Sequence, residues 1–260
     1  MKHVIVCLFV GLLGAAAAKS AEPPMPLKDV PMKLESLKID QLHKYKWVSV
    51  VQNGTNTESK DYGVLVVSSK FAKKKLQFHD TITLGASYNG TIFDRRLVYP
   101  EENLFAPEQA TIDITGGGKT VHQLDYEKGK ATFIEFSGGT NTQQWTFADG
   151  MLTFDALLRI VPLLPRDTGR VYTFQEYAEP FLFRTHKAEQ KDGPYTISCE
   201  GTEKVTVGKR SYDCVRFRLD LKSADVRTDF WVGANNLVVK FVDVLPKGAD
   251  ASFLEATLQE

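Results

Sequence analysis

Apolar and polar residues alternate with a period of two through much of the chain between residues 42 and 147, which is the pattern of half-buried β-strands. Glycine, asparagine or aspartate separates these segments at intervals of roughly ten residues, as in a meandering antiparallel sheet. The segments predicted as strands are 42–51, 63–69, 76–84, 91–99, 110–114, 120–126, 131–136 and 143–147.

The same alternation returns in the last third of the chain. It predicts further strands at 170–177, 181–187, 195–207, 212–221, 227–232, 237–244 and 252–258. No long low-complexity linker separates the two halves, so we expect one large sheet or two closely packed β layers. Residues 33–44 also allow a second interpretation, a short amphipathic helix through Leu34, Leu37 and Leu42.

Only the stretch from residue 151 to residue 174 predicts a convincing helix. Thr153 or Asp155 can cap its start, and Pro162 ends it. Arg159 is expected to contribute little to stability if it faces solvent. The residues at helical spacing are Leu152, Ala156, Leu157, Ile160 and Val161. The predicted fold is therefore mainly β, a large curved antiparallel sheet or open barrel with one main helix packed in or against it.

The composition is that of an ordinary globular protein. The chain has 260 residues, of which 43% are hydrophobic and 25% are charged, so it can bury a sizeable core. Its 32 basic and 32 acidic residues cancel. This balance does not favour nucleic acid as a partner, and we predict none.

The first residues predict a cleaved signal peptide over residues 1–21. Lys2 and His3 form a positive start, residues 4–13 an apolar segment, and residues 15–18 a run of alanines that suits signal peptidase. The apolar segment is too short to span a bilayer, so no membrane span is predicted. We therefore expect a periplasmic or secreted protein. An extended, poorly ordered proline-rich leader at 22–33 and a single β-rich domain at 34–260 are expected to follow.

Two cysteines, Cys199 and Cys214, remain after the predicted cleavage. In an oxidising compartment, two cysteines about one hairpin apart predict a disulfide. Two buried free thiols are the alternative, because a hairpin centred on Gly208 and Lys209 would not place the two cysteines directly opposite each other.

Several short motifs in the second half carry a family resemblance. They read DALLRIVPLLP, then GRVYTF, then GTEKVTVGKRSYDCVRF and TDFWVGANNLVVKF. In this order they resemble the exported bacterial family catalogued as domain of unknown function 3108, best over residues 155–258. The resemblance implies an open, curved antiparallel sheet around a helix, similar to lipoprotein-carrier folds. The activity of that family is itself unknown.

A curved sheet around one helix often encloses more apolar surface than the helix fills, and such a cavity suits lipophilic ligands. The predicted function is therefore a non-catalytic periplasmic protein that binds a lipophilic molecule in a sheet–helix cavity. The candidate ligand-binding residues are Leu157, Ile160, Phe174 and Trp231. Two alternatives remain open, an envelope interaction or structural module that binds an envelope protein, and a hydrolase-like enzyme.

Motifs that would carry catalysis are weak. The run from Thr115 to Thr120 ends like a phosphate-binding loop, but Asp113 replaces its first glycine, and a glycine-rich hairpin is the better interpretation. The histidines at 43, 79, 122 and 186 lack the spacing of metal ligands. We predict no catalytic residue, no metal and no cofactor.

A group of basic residues is the last feature of note. It comprises Lys70, Lys73, Lys74, Lys75, Arg95 and Arg96. The group predicts either a basic face for anionic head groups or an acidic partner, or a strand edge that lysines protect from pairing.

Overall fold

The structure is a computed structural model. It describes residues 22–32, 35, 37, 40–53, 55–101, 103–105, 107–136, 139–146, 152–175, 177–178, 195–221, 226–245 and 252–259. The predicted signal peptide, the predicted strand 181–187 and His186 lie outside the described residues.

Strands dominate the described part of the chain, with one short α-helix, α1, at Phe154–Ile160. Single turns of 3-10 helix occur at Leu27–Asp29, Ala86–Tyr88 and Val161–Leu163. The strands are β1 (Met25–Pro26), β2 (Gln41–Asn53), β3 (Asn56–Ala72), β4 (Lys75–Leu84), β5 (Ile92–Pro100), β6 (Gln109–Gly116), β7 (Lys119–Glu127), β8 (Lys130–Glu135), β9 (Asn141–Thr146), β10 (Leu152–Thr153), β11 (Val171–Phe174), β12 (Tyr177–Ala178), β13 (Tyr195–Val207), β14 (Arg210–Leu221), β15 (Val226–Val232), β16 (Val238–Val244) and β17 (Phe253–Leu258).

Fifteen of these strands form one sheet, in the order β1-β11-β13-β14-β15-β16-β17-β2-β3-β4-β5-β6-β7-β8-β9. All neighbours are antiparallel except β1 and β11, and β10 and β12 form a separate parallel pair. Strand β17 pairs with β2 and so joins the C-terminal half of the sheet to the N-terminal half. The sheet is curved and does not close into a barrel. This confirms the predicted fold class.

The core lies inside the curve of the sheet, and alternation along each strand decides which side chains reach it. In β4, buried positions alternate with more exposed ones from Leu76 to Leu84. Buried residues from both halves of the sheet join α1 in one apolar cluster. Trp47 of β2, for example, packs edge-to-face on Phe241 of β16, with ring centroids 5.7 Å apart. The curve therefore brings strands that are distant in sequence around a single helix.

The predicted leader is part of this core. Met25 and Pro26 pair in parallel with Tyr172 and Thr173 of β11. Leu27 is only 1% exposed, and Val30 is also buried. The expectation of a poorly ordered leader is therefore wrong for these residues, because their apolar side chains pack on the core.

Two tight turns connect neighbouring strands at the glycine-rich run and at the lysine run of the sequence. Gly117 and Gly118 have positive φ values of 59° and 77° and connect β6 to β7, which confirms the glycine-rich hairpin. Lys73 and Lys74, with φ values of 54° and 60°, connect β3 to β4 in the same way.

Candidate binding cleft

Helix α1 lies in the core, and all seven of its residues are buried. Its start is capped as predicted, because the Thr153 hydroxyl accepts a hydrogen bond of 3.1 Å from the backbone N–H of Ala156. Its C-terminal end continues into the 3-10 turn that contains Pro162. A helix this short gains its stability from packing against the sheet rather than from its own propensity.

Two ion pairs fasten α1 to neighbouring strands of the sheet. Arg159 donates hydrogen bonds of 2.5 and 2.6 Å to the two carboxylate oxygens of Asp80 on β4. Arg95 on β5 donates to both oxygens of Asp155 at 3.1 and 3.2 Å. The four residues are between 0% and 5% exposed. Arg159 is therefore not on a solvent face, and Arg95 is not part of a basic surface.

Further contacts complete the surroundings of the Arg159 guanidinium. It donates to the backbone carbonyls of Asp155 at 3.0 Å and Ser68 at 2.9 Å, and it lies 4.6 Å from the ring centroid of Phe78. With the two bonds to Asp80, its two terminal nitrogens make four hydrogen bonds, one for each N–H that they carry. A buried guanidinium with all four of its terminal N–H groups bonded fixes the position of the helix.

Burial perturbs the acid–base behaviour of this pair. Burial raises the pKa of Asp80 to about 7, Arg159 opposes the rise, and Asp155 adds to it. Burial also works against the charge on Arg159, but Asp80 and Asp155 more than offset it and raise the pKa of the guanidinium. Arg159 therefore remains charged.

A small cleft lies beside α1 at the start of β2, and we call it the mouth cleft. Its cavity volume is ≈ 50 Å³. Pockets that take drug-sized ligands measure about 300–1,000 Å³, so the mouth cleft can take only one end of such a molecule. Its apolar lining comes from Leu37, Tyr45, Val67, Leu158, Pro162, Leu163, Leu237 and Val238.

The polar lining of the mouth cleft is mostly uncharged. Arg159 is the exception among the described lining residues, and its charge is matched by Asp80. Burial lowers the pKa of His43 below its usual value of 6.5, and Arg159 lowers it further, so His43 is neutral at pH 7. The remaining polar lining residues are Gln41, Ser69, Asn235 and Asn236.

Three long-range hydrogen bonds hold the walls of the mouth cleft. Arg166, which follows α1, donates to the carbonyl of Gly233 at 2.9 Å and to the Asn236 side-chain oxygen at 2.7 Å. The Tyr45 hydroxyl donates to the Val238 carbonyl at 2.9 Å. The turn between β15 and β16 is thus tied to the segment after α1 and to β2, and the cleft is formed before any ligand enters.

The four predicted ligand-binding residues do not share a cavity. Leu157 and Ile160 are 0% exposed and lie in the core. Phe174 is half-buried, with its ring centroid 5.4 Å from that of Tyr195. Trp231 packs on a separate cluster with Cys214 and Val239. The structure therefore does not bring the four residues together, and α1 itself fills the space predicted for a ligand.

The predicted disulfide is not present, because Cys199 and Cys214 are both buried free thiols. Cys214 lies opposite Glu203, and Cys199 opposite Phe217, so the two are separated along the hairpin by on the order of 10 Å. They also belong to different clusters, Cys199 in the main core and Cys214 in the cluster of Trp231. A bulge between Cys199 and Gly201 contributes to this offset.

The described histidines are dispersed over the sheet. His79 is exposed on β4 and contacts Asp94, whereas His122 is buried on β7 and stacks on Phe133. Among the described residues, no group of three or more potential ligands is placed to hold a metal ion. Within that same part of the chain, no helix has the length and apolar character needed to cross a membrane.

The buried charges were missed in the sequence, although alternation held a signal for them. Asp80 falls between Phe78 and Ile82, at a position where β4 turns its side chains inward. Arg95 falls in the same way between Phe93 and Leu97 of β5. A charged residue in phase with the apolar residues of a strand indicates a buried partner of opposite charge.

Comparison with known proteins identifies no family. No protein-family model matches the chain. No curated protein matches it either. The resemblance to domain of unknown function 3108 therefore remains a prediction.

Two solved bacterial structures have a similar course of the chain. One is a β-barrel-like protein of domain of unknown function 1849 from Brucella abortus, with 10% identity and a TM-score of 0.46 over 85% of this chain and 96% of that one. The other is a protein of the DUF1329 family from Desulfovibrio piger, with 11% identity and a TM-score of 0.27 over 87% of each chain. Each likeness is too low to carry an argument about function.

Proposed function

We propose that the protein is a non-catalytic, exported protein that binds the apolar end of a lipophilic molecule in the mouth cleft. The observation that carries the proposal is a preformed cleft with apolar walls and a polar rim, next to a helix that is buried in the core. Export is supported by the signal-peptide pattern of residues 1–21.

The size of the mouth cleft limits the affinity. Burial of about four methylene groups, at roughly 0.8 kcal/mol each, supplies on the order of 3 kcal/mol. A dissociation constant of 1 mM corresponds to about 4 kcal/mol. We therefore expect weak binding, with dissociation constants of roughly several millimolar for a short probe. A larger natural ligand would gain affinity from contacts outside the cleft.

The experiment is an NMR titration of the folded protein with toluene, an apolar probe without a head group. Leu163→Trp should abolish saturable binding, because Leu163 lines the cleft and the larger side chain fills it. Leu42→Trp is the matched control, since Leu42 is 71% exposed and is not a lining residue. Unchanged binding in Leu163→Trp, or no saturable binding in the unmodified protein, would contradict the proposal.

An interaction module is the second candidate function, and strand β9 is the observation that favours it. Among the described residues, β9 pairs only with β8 and so forms an edge of the sheet. An extended segment of a protein partner can add to such an edge through backbone hydrogen bonds. A photo-crosslinking residue placed at exposed Gln144 should then capture one discrete envelope protein, and the same residue placed at Leu42 should not. The absence of such a product would remove this candidate.

A further inference from the structure

We infer that the mouth cleft selects lipophilic molecules whose polar head group is uncharged, such as an alcohol, ester or amide, over carboxylates, phosphates and ammonium ions. The inference rests on the proposed function and specifies its ligand class. Three observations carry it. They are the bonding of the terminal N–H groups of Arg159, the lack of an acidic residue among the described lining residues, and the uncharged polar residues at the rim.

The terminal N–H groups of Arg159 are not available to an anionic head group. The four N–H bonds of its terminal nitrogens already donate to Asp80 and to the carbonyls of Asp155 and Ser68. An incoming carboxylate or phosphate would have to displace Asp80 from the guanidinium. That exchange would leave the Asp80 carboxylate, which is 0% exposed, without its cation. Asp80 would then have to remain charged without a partner or take up a proton, and both changes oppose the exchange.

The same ion pair disfavours a cationic head group. Asp80 pairs with Arg159 and is not itself a lining residue of the cleft. No aspartate or glutamate is among the described residues that line the mouth cleft. Because Asp80 is already bonded to Arg159, an ammonium group in the cleft would find no carboxylate among the described lining residues to replace its hydration.

The rim of the cleft suits a neutral head group. Ser69 and Asn235 carry hydroxyl and amide groups, which both donate and accept hydrogen bonds, whereas the Asn236 side-chain oxygen already accepts from Arg166. His43 in its neutral form also has one donor and one acceptor nitrogen. These groups can exchange hydrogen bonds with a hydroxyl, ester or amide. A full charge held against the apolar walls would lose hydration that such neutral groups replace only in part.

The test compares three probes with the same eight-carbon chain, namely octan-1-ol, octanoate and octylammonium, by NMR titration at pH 7.5. We expect octan-1-ol to bind at least ten-fold more tightly than either ion. Equal or tighter binding of octanoate or octylammonium would overturn the inference and leave the proposed function intact. If neither these probes nor toluene bind, the proposed function fails and the inference falls with it.

A pair of rim variants provides an independent check. Asn235 is exposed, so its replacement should not disturb the fold. Asn235→Lys adds a cation with no carboxylate partner among the cleft lining, and it should raise octanoate affinity several-fold without strengthening octan-1-ol binding. Asn235→Gln is the matched control and should change neither affinity. If Asn235→Lys leaves the preference for octan-1-ol unchanged, charge at the rim does not set selectivity and the inference is wrong.

Discussion

Arg159 on α1 and Asp80 on β4 form a bidentate ion pair with hydrogen bonds of 2.5 and 2.6 Å, although they are 79 positions apart in sequence and at most 5% exposed. The pair fixes which face of α1 meets the N-terminal half of the sheet. Because desolvation offsets much of the attraction in a buried pair, its main effect is on geometry rather than on net stability. The same geometry sets one boundary of the mouth cleft, since Arg159 is among its lining residues.

Breaking this pair on one side should destabilise the protein strongly. Arg159→Ala leaves the Asp80 carboxylate buried without a partner, and we expect a loss of about 3–5 kcal/mol in the free energy of unfolding, measured by chemical denaturation. Arg96→Ala is the matched control, because Arg96 pairs with Asp94 on an exposed face and should matter little. The double variant Asp80→Leu with Arg159→Met should lose far less than the two single variants together. Additive losses would mean that the two residues do not act as a pair.

Much of the fold could be predicted from alternation alone. The strand predicted at 76–84 is β4 almost to the residue, and the helix start at Thr153 is correct. Most inward-facing residues of a half-buried strand are apolar, so the sequence of such a strand alternates between apolar and polar residues with a period of two. Contacts between residues far apart in the chain decide which strands of the curved sheet meet around α1. A local sequence pattern does not predict such contacts.

The candidate cleft was harder to predict for a related reason. The apolar character of Leu157 and Ile160 suits a ligand site, but the sheet surrounds this short helix, so these side chains pack in the core instead. The actual cleft depends on Arg166 and Asn236, which are separated by 70 positions. Likewise, the spacing of the two cysteines did not reveal that they lie in different clusters on either side of a bulge.

The thiols of Cys199 and Cys214 should both remain reduced and unreactive in the native protein. Burial raises the pKa of Cys214 to about 11 and raises that of Cys199 as well, so neither forms a thiolate at pH 7.5. An alkylating reagent should label neither residue before unfolding and both residues after unfolding without reductant, as read by peptide mass spectrometry. Unlabelled cysteines in the unfolded, unreduced protein would instead show a disulfide.

Gly63 should tolerate no side chain. A Cβ at this position of β3 would lie 2.2 Å from the carbonyl oxygen of Thr83 on the neighbouring strand. Gly63→Ala should therefore reduce the free energy of unfolding by more than about 2 kcal/mol, because the two strands must separate. Gly90→Ala is the control, since Gly90 has open space around it and the change should reduce stability by about 1 kcal/mol through its positive φ alone. Equal effects of the two variants would contradict the close approach of β3 and β4.

His43 should titrate below its ordinary pKa of 6.5, first because of burial and second because of Arg159. The folded protein then binds fewer protons than the unfolded chain below pH 6.5, so stability should fall as the pH drops from 6.5 through the pKa of folded His43. His43→Gln should remove this part of the pH dependence. An NMR titration of the imidazole gives the pKa directly, and Arg159→Met should shift it upward. A midpoint at or above 6.5 in the unmodified protein would contradict the half-buried, neutral His43 of the cleft rim.

Methyl NMR of the protein during titration with octan-1-ol tests most directly whether the mouth cleft, rather than the core, binds ligand. If the mouth cleft binds the ligand, we expect saturable shifts of the methyl signals of Leu158 and Leu163, which line the cleft. The methyl signals of Leu157 and Ile160, which are 0% exposed in the core, should remain unchanged. Saturable shifts confined to Leu157 and Ile160 would place the ligand inside the sheet, where α1 leaves no room for it, and would contradict the account.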